Sequence, residues 1–170
     1  RFRTMDAEAI PDFYGGFSNS LTYKGLTLSA LFVYQLGGKV YDGAYAGLMG
    51  TGGYGSSKHP DILNRWQKEG DITNVPRMDN GRTADFNGAS DRWLIDGSAL
   101  SLRSVTLAYN LPKSLLQKVK LANAQFVLSG ENLAIWSKRK GMNAFDAFSG
   151  VTSNTYSFAR TWAGGISLTF

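Results

Sequence analysis

The chain has no cysteine, a single histidine at position 59, and only four prolines in 170 residues. Without thiols there is no disulfide framework and no thiolate metal site. One imidazole leaves a zinc site without a second nitrogen ligand, and His59, beside Pro60 in a loop-like stretch, is badly placed to be the base of a Ser-His-Asp triad. Hydrolase chemistry is set aside on these grounds: no enzymatic activity, catalytic residue, cofactor or metal is expected. No run of 18 apolar residues occurs, which excludes a transmembrane helix but not a membrane protein built from strands. There is also no initiator methionine and no signal peptide. The chain opens Arg1-Phe-Arg-Thr-Met5 as if in mid-chain, so a piece of something longer is expected.

What is present is glycine (20 residues), aromatics (13%) and a net charge of +5. The charge is uneven: residues 97–170 hold eight Lys or Arg against two Asp or Glu, while residues 1–96 hold ten against eleven. Many of the cations (Lys113, Lys118, Lys120, Lys138, Arg139, Lys140) fall in turns and loops, with no aromatic-basic stacking platform, so nucleic acid is not expected as a partner. Gly50-Thr-Gly-Gly-Tyr-Gly55 spells a dinucleotide fingerprint but lacks the strand before it and the helix after it, and reads as a loop. Asp71, Asp79, Asn80, Asp85, Asp91 and Asp96 crowd one stretch and supply oxygen ligands of the type calcium takes. Their spacing matches no EF-hand, so a solvated loop is the default.

Alternation is the dominant pattern. In 160–170, Trp162, Gly164, Ile166, Leu168 and Phe170 oppose Thr161, Ala163, Gly165, Ser167 and Thr169, a period of two that means a strand. Similar alternation runs through 13–23 (Phe13, Phe17, Leu21, Tyr23), 26–36 (Leu26, Leu28, Ala30, Phe32, Tyr34, Leu36), 98–111 (Val105, Leu107, Tyr109, Leu111) and 123–136 (Ala124, Phe126, Leu128, Trp136). Segments of this length suit a tilted strand crossing a bilayer, where apolar residues face lipid and small polar ones face a wet interior. The connections alternate too. Lys24-Gly25 is a hairpin turn and 112–122 a short basic connection with a helical turn through Ser114–Lys118, whereas 37–97 and 138–158 are long. Barrels of the outer membrane have short periplasmic turns and long external loops. The expected fold is therefore all-β: an antiparallel transmembrane β-barrel segment of about five strands with long extracellular loops. Its C-terminus would be periplasmic, and residues 1–12 would be the tail of an earlier external loop.

On the apolar face Tyr23, Tyr109 and Phe170 would sit at the periplasmic ends, and Tyr34, Trp136 and Trp162 at the extracellular ends, as two interfacial girdles. Tyr14, Asn110, Gln125, Ser129 and Glu131 would line the lumen; Glu131 toward lipid would be costly and would overturn the register of its strand. Leu100 and Leu102 have the wrong parity for 98–111. Either a bulge lies there or that part rises above the bilayer and packs under a loop, and the second is preferred. Five strands cannot close a barrel, and open edges are not tolerated in lipid, so further strands of the same chain are required.

The order of short motifs resembles one family. Pro11-Asp-Phe-Tyr-Gly-Gly-Phe17 followed by Leu21-Thr-Tyr-Lys-Gly-Leu-Thr-Leu28, then Arg65-Trp66 with Gly70-Asp-Ile-Thr-Asn-Val-Pro-Arg77, Ser90-Asp-Arg-Trp-Leu-Ile-Asp-Gly-Ser98, Leu102-Arg-Ser-Val-Thr-Leu-Ala-Tyr-Asn-Leu-Pro112 and Ser129-Gly-Glu-Asn-Leu133, are similar to passages of SusC/RagA-type TonB-dependent outer-membrane transporters. The resemblance covers nearly the whole chain. It implies the C-terminal part of a barrel of about 22 strands with an internal plug. It also implies TonB-driven import of a large nutrient, glycan or peptide, under a SusD-like surface lipoprotein. The plug and the TonB-contacting segment lie outside this chain. Outer-membrane lipid, lipopolysaccharide and the barrel-assembly machinery, read from the ending in Phe170, complete the expected partners. One departure stands out: Gly141-Met-Asn-Ala-Phe-Asp146 replaces the family's usual G-Y-D-P-E type passage.

Tyr41, Tyr45, Tyr54, Trp66 and Trp93 fall in the long excursion. They could stack on a ligand or meet a partner protein, or simply hold the loop together. Pro60, Gly70 and the apolar Ile62, Leu63 and Trp66 predict a short helix over 60–69. Two other readings remain: a passive porin or secretion pore built from the same strands, and a soluble carbohydrate-binding β-sandwich, which would need its apolar faces packed against each other.

Overall fold

The computed structural model describes residues 8–53, 55–82, 86–146, 149–152 and 158–170, with Asp146 described in its backbone only. Its strands are β1 (Phe13–Tyr23), β2 (Leu26–Leu36), β3 (Lys39–Tyr41), β4 (Leu94–Asp96), β5 (Ala99–Asn110), β6 (Asn123–Ser137) and β7 (Thr161–Thr169). Two short helices, α1 (Gly43–Leu48) and α2 (Lys113–Val119), lie in the connections. Five strands form one antiparallel sheet in the order β1-β2-β5-β6-β7, and β3 pairs with β4 apart from it. No described helix is long and apolar enough to cross a membrane.

The register gathers most of the large apolar residues of the five strands on one face. Tyr23, Leu26, Tyr109, Phe126 and Ile166 form one cross-strand row, and Leu21, Leu28, Leu107, Leu128 and Gly164 the next. A third row at the other end joins Gly15, Tyr34, Leu100 and Trp136. The opposite face carries Ser20, Ser29, Thr106, Ser129 and Ala163 in one row and Ser18, Leu31, Ser104, Glu131 and Thr161 in another. Ser20 pairs with Ser29 and Thr22 with Thr27 through hydroxyls 3.0 Å apart. Glu131 thus shares a face with serine and threonine, not with Phe126 and Leu128.

Keeping the faces in phase takes two irregularities. Between matching rows β2 runs from Ala30 to Phe32, β5 from Val105 back to Leu102, and β6 from Gly130 to Ala134. Each strand inserts one residue more than its neighbour, which is what a β-bulge does. On β6 the extra residue is absorbed at Asn132, left-handed at φ 52°, a conformation asparagine tolerates better than most residues. Its Oδ1 accepts from Arg103 Nη1 at 3.2 Å. The bulge at Arg103 reverses the parity of β5, so Leu100 and Leu102 return to the apolar face opposite Tyr34 and Phe32. Of the two readings open for this segment, the less preferred one, a bulge, is present: an inserted residue moves the side chains without ending the pairing.

The apolar face is bare. Phe17, Leu28, Tyr109, Phe126, Trp136, Trp162 and Ile166 are all exposed. The long connections fold instead onto the upper part of the other face. There Ala99 and Ser101 are buried, Ala99 packs with Met142 and Ala144, and Gln35 Nε2 donates to the Gly97 and Ala144 carbonyls at 2.7 and 3.3 Å.

The helix expected over 60–69 is shorter than its pattern suggested. A 3-10 turn spans Pro60–Asn64 and ends at Arg65, because the next residue, Trp66, donates its N–H to Val75 O at 2.9 Å and so leaves the helical path. Ile62 is buried but Leu63 is exposed. The turn expected at Ser114–Lys118 is α2, which runs over Lys113–Val119.

Glycine at 130 has a specific steric reason. A Cβ there would come 2.8 Å from both Trp162 Cζ3 and Leu133 Cδ2, so the indole lies against bare backbone. Gly164, by contrast, has nothing within 4 Å of its Cβ position. Gly130→Ala is expected to destabilise the full-length protein by about 1–2 kcal/mol through overpacking. Gly164→Ala should be neutral or gain about 0.5 kcal/mol. Urea unfolding in detergent compares the two, and equal effects would contradict the packing assigned to Trp162.

Candidate functional site

Among the described residues, the densest set of polar and aromatic contacts lies where the long connections meet. Asp42, 3% exposed, is its hub. Aspartate before a helix satisfies orphan N–H groups, and Asp42 Oδ1 accepts from Tyr45 N at 3.0 Å, capping α1. The same oxygen accepts from Thr152 Oγ1 at 3.1 Å, and Arg139 Nη2 stands 2.6 Å from Oδ2. Asp42 N donates to Trp93 O at 2.9 Å. The buried carboxylate therefore ties α1 to the segments around 139 and 152, and the backbone N–H of the same residue adds the segment at 93. Its burial is tolerable because a cation, a hydroxyl and a backbone N–H all converge on it.

Around the hub lies an apolar cluster of Ala46, Met49, Ile62, Val75 and Trp93, flanked by Tyr41, Tyr45 and Phe86. Trp93 is 2% exposed and donates Nε1–H to Gly88 O at 3.0 Å. Tyr45 packs edge-on against both His59 and Trp93, and the Arg139 guanidinium lies 3.7 Å from its ring centre. Its hydroxyl donates to Asp61 Oδ2 at 2.6 Å. Burial, followed by that hydrogen bond and the Asp61 charge, raises the Tyr45 pKa above its ordinary value. His59 Nδ1 accepts the Asp61 N–H at 3.2 Å. The same nitrogen stands 3.3 Å from Asp61 Oδ2. Arg92 lies over Phe86 and Trp93 and donates from Nη2 to Asn74 O at 2.8 Å.

Two clefts open beside Tyr45 and Asp61. One, of about 390 Å³, is lined by Asn64, Asn74, Arg92 and an edge of Trp93. The other, of about 640 Å³, is lined by His59, Asp96, Lys39, Lys138 and Arg139. The arrangement offers hydrogen bonds and cations beside aromatic edges.

Of the aromatics singled out in the sequence, Tyr41, Tyr45 and Trp93 come together here, while Trp66 is half-buried beside Val75. Tyr54 lies outside the described residues, as does Asp85. Two of the acidic residues singled out in the sequence serve local turns: Asp71 Oδ2 accepts from the N–H groups of Gln67 and Lys68, and Asp96 from Ser98. Those Ser98 hydrogen bonds hold the Asp96 carboxyl below its usual pKa. No group of three or more possible metal-ligating side chains occurs among the described residues. Sequence reasoning missed Asp42, Asp61 and Arg92. Asp42 had a signal, an aspartate just before a short apolar stretch, but Gly43 and Gly47 mask the helix behind it. On the sheet, Tyr14, Asn110, Gln125, Ser129 and Glu131 share the face opposite the apolar rows. Tyr34 and Trp136 share one row, whereas Trp162 lies in the row of Gly130, nearer the middle of the sheet.

No protein-family model matches the chain. It is 30% identical over 139 residues to TonB-dependent receptor P3 of Formosa agariphila, covering 82% of this chain and 13% of that protein. It is 29% identical over 171 residues to TonB-dependent receptor P26 of the same organism, covering 95% and 17%. The chain belongs to the TonB-dependent receptors. Among solved structures, this receptor chain superposes on the RagAB peptide importer in its open-open state with a TM-score of 0.76 and 28% identity, and in its closed-closed state with 0.78 and 29%. Both superpositions cover 100% of this chain and 19% of the other. The chain thus spans less than a fifth of the receptors and importer chains it matches.

Asp42→Ala is expected to expose the connections to protease while leaving the sheet paired. It leaves Arg139 without its partner, at a local cost of about 3–5 kcal/mol; limited proteolysis of the full-length receptor reads this. A second expectation concerns pH. A raised tyrosine pKa gives stability that is complete below the unfolded value near 10 and is lost as pH climbs through the folded one. Absorbance titration at alkaline pH should therefore show one late-ionising tyrosine that Tyr45→Phe removes. An unchanged curve would contradict the Tyr45–Asp61 bond.

Proposed function

We propose that this chain is the C-terminal part of an outer-membrane, TonB-dependent importer of a large nutrient, glycan or peptide, acting with a SusD-like surface lipoprotein. The observation that carries this reading is the inverted sheet: its apolar face is bare and its polar face receives the loops. A water-soluble sheet would bury the apolar side, whereas a barrel wall in lipid presents it outward. The likeness to TonB-dependent receptors and to the RagAB peptide importer supports import over passive diffusion. On this reading further strands and a plug come from chain beyond these residues, which also carries the contact with TonB. The short-turn end and Phe170 face the periplasm. Tyr23, Tyr109 and Phe170 form one interfacial girdle and Tyr34 and Trp136 the other, while Trp162, expected beside them, lies lower on the apolar face. Tyr14, Asn110, Gln125, Ser129 and Glu131 line the lumen. At the external end the clefts beside Tyr45 offer contact for nutrient or lipoprotein, with Tyr41 and Trp93 mainly supporting them.

The porin alternative differs in energy source. In cells expressing the full-length receptor, uptake of the cognate glycan or peptide pool is expected to stop when TonB is removed. Uptake that continues at an unchanged rate would favour the pore. The sandwich alternative needs a second sheet against the apolar face, and none covers it among the described residues. Orientation has its own test. Leu128→Arg should destabilise the receptor in liposomes by about 2–4 kcal/mol, while Ser129→Arg on the opposite face should cost far less. The reverse order would place the lumen on the apolar side.

A further inference from the structure

The two short connections of the sheet meet the end of β7 at one end, and their charged side chains are of one sign. Lys24-Gly25 joins β1 to β2 as a two-residue turn with both residues at positive φ (46° and 84°), the form that matches strand twist. Asn110 N donates to Gly25 O at 2.8 Å, which sets this turn beside the start of the β5–β6 connection. Ala122 N donates to Thr169 O at 2.7 Å, which sets the far side of that connection beside the end of β7. Lys24, Lys113, Lys118 and Lys120 project from this end and are all exposed, and no Asp or Glu occurs in residues 23–26, 110–124 or 168–170. The long-connection end, by contrast, mixes both signs.

Apolar groups accompany the cations. On α2, Leu115 and Val119 lie four residues apart, hence on one side of the helix, and are 46% and 59% exposed while Leu116 is buried. The Lys24 ammonium stands 5.2 Å from the Tyr23 ring centre. Tyr23 and Tyr109 lie in the cross-strand row nearest this end. The basic end therefore continues directly into the bare apolar face.

We infer that this end of the sheet is a docking surface for anionic phospholipid, with the four lysines taking headgroup phosphates while Leu115, Val119, Tyr23 and Tyr109 sit at the acyl boundary. The inference rests on the membrane reading above. Juxtamembrane lysines gain from anionic headgroups within a Debye length, and their aliphatic stems let the ammonium reach the phosphate from the apolar edge. A lysine also serves as a compact point charge for phosphate.

The test uses the full-length receptor in phosphatidylcholine nanodiscs, and native mass spectrometry in neutral detergent with added phosphatidylglycerol. Phosphatidylglycerol is expected to bind more tightly than phosphatidylcholine. The combined variant Lys113→Gln, Lys118→Gln, Lys120→Gln should weaken that binding by about five-fold per lysine. The matched variant Lys58→Gln, Lys68→Gln, Lys140→Gln at the other end should leave it unchanged. A receptor that inserts into phosphatidylcholine but shows no preference for phosphatidylglycerol, or equal losses in both variants, overturns this inference alone. A receptor that does not insert at all overturns the membrane reading with it. Lysine acetylation adds a further arm. Protection of Lys113, Lys118 and Lys120 by phosphatidylglycerol nanodiscs supports the lipid. Protection in native membranes but not in those nanodiscs would mean that a protein covers this end, and the inference would fail.

Discussion

Everything in this structure depends on keeping five strands in phase so that one face of the sheet stays apolar from edge to edge. A slip of one residue would send a whole strand's apolar set to the wrong side. The bulges at Arg103 and Asn132 meet that demand where β5 carries its apolar residues in two parities. Without them, either Leu100 and Leu102 or Val105, Leu107 and Tyr109 would share a face with Ser129 and Glu131. The cost is local: a left-handed asparagine, and an arginine held by its side chain.

The second organising feature follows from the first. Because the apolar side is left free, the connections must find their packing elsewhere, and they build a small core of their own around Trp93 and Met49. A core that small is fixed by polar links at its edge. Asp42 provides them, joining residues far apart in sequence through a helix cap, a hydroxyl and the Arg139 cation. Tyr45 converts that scaffold into a surface, since its ring is clamped by His59, Trp93 and Arg139 while its hydroxyl fixes Asp61 between the two clefts.

Much of the sheet was legible because alternation is a local code. In β7 every second residue repeats the same choice, in β1 most do, and no distant contact is needed to read it. The same code misled at Leu100 and Leu102, since a bulge leaves no mark on parity except the anomaly itself, and a local reading cannot tell an inserted residue from a strand that ends. The helix expected over 60–69 failed for a different reason. Its apolar spacing is genuine, but the Trp66 N–H finds a better partner in Val75, a tertiary bond that the intervening sequence does not announce. At the loop end the aromatics were visible as a class, yet Asp42, Asp61 and Arg92 were not, because each acquires its role only from the partners that folding brings to it.

The sequence by itself determined the strand period, the all-β class, the hairpin at Lys24-Gly25 and the family of motifs, because each is written within a few neighbouring residues. Only the tertiary structure decided which side of the sheet the loops cover, how β5 stays in register, and that Asp42 joins four segments. Those outcomes turn on pairings between residues tens of positions apart, whose energies depend on burial and on the geometry of the partner.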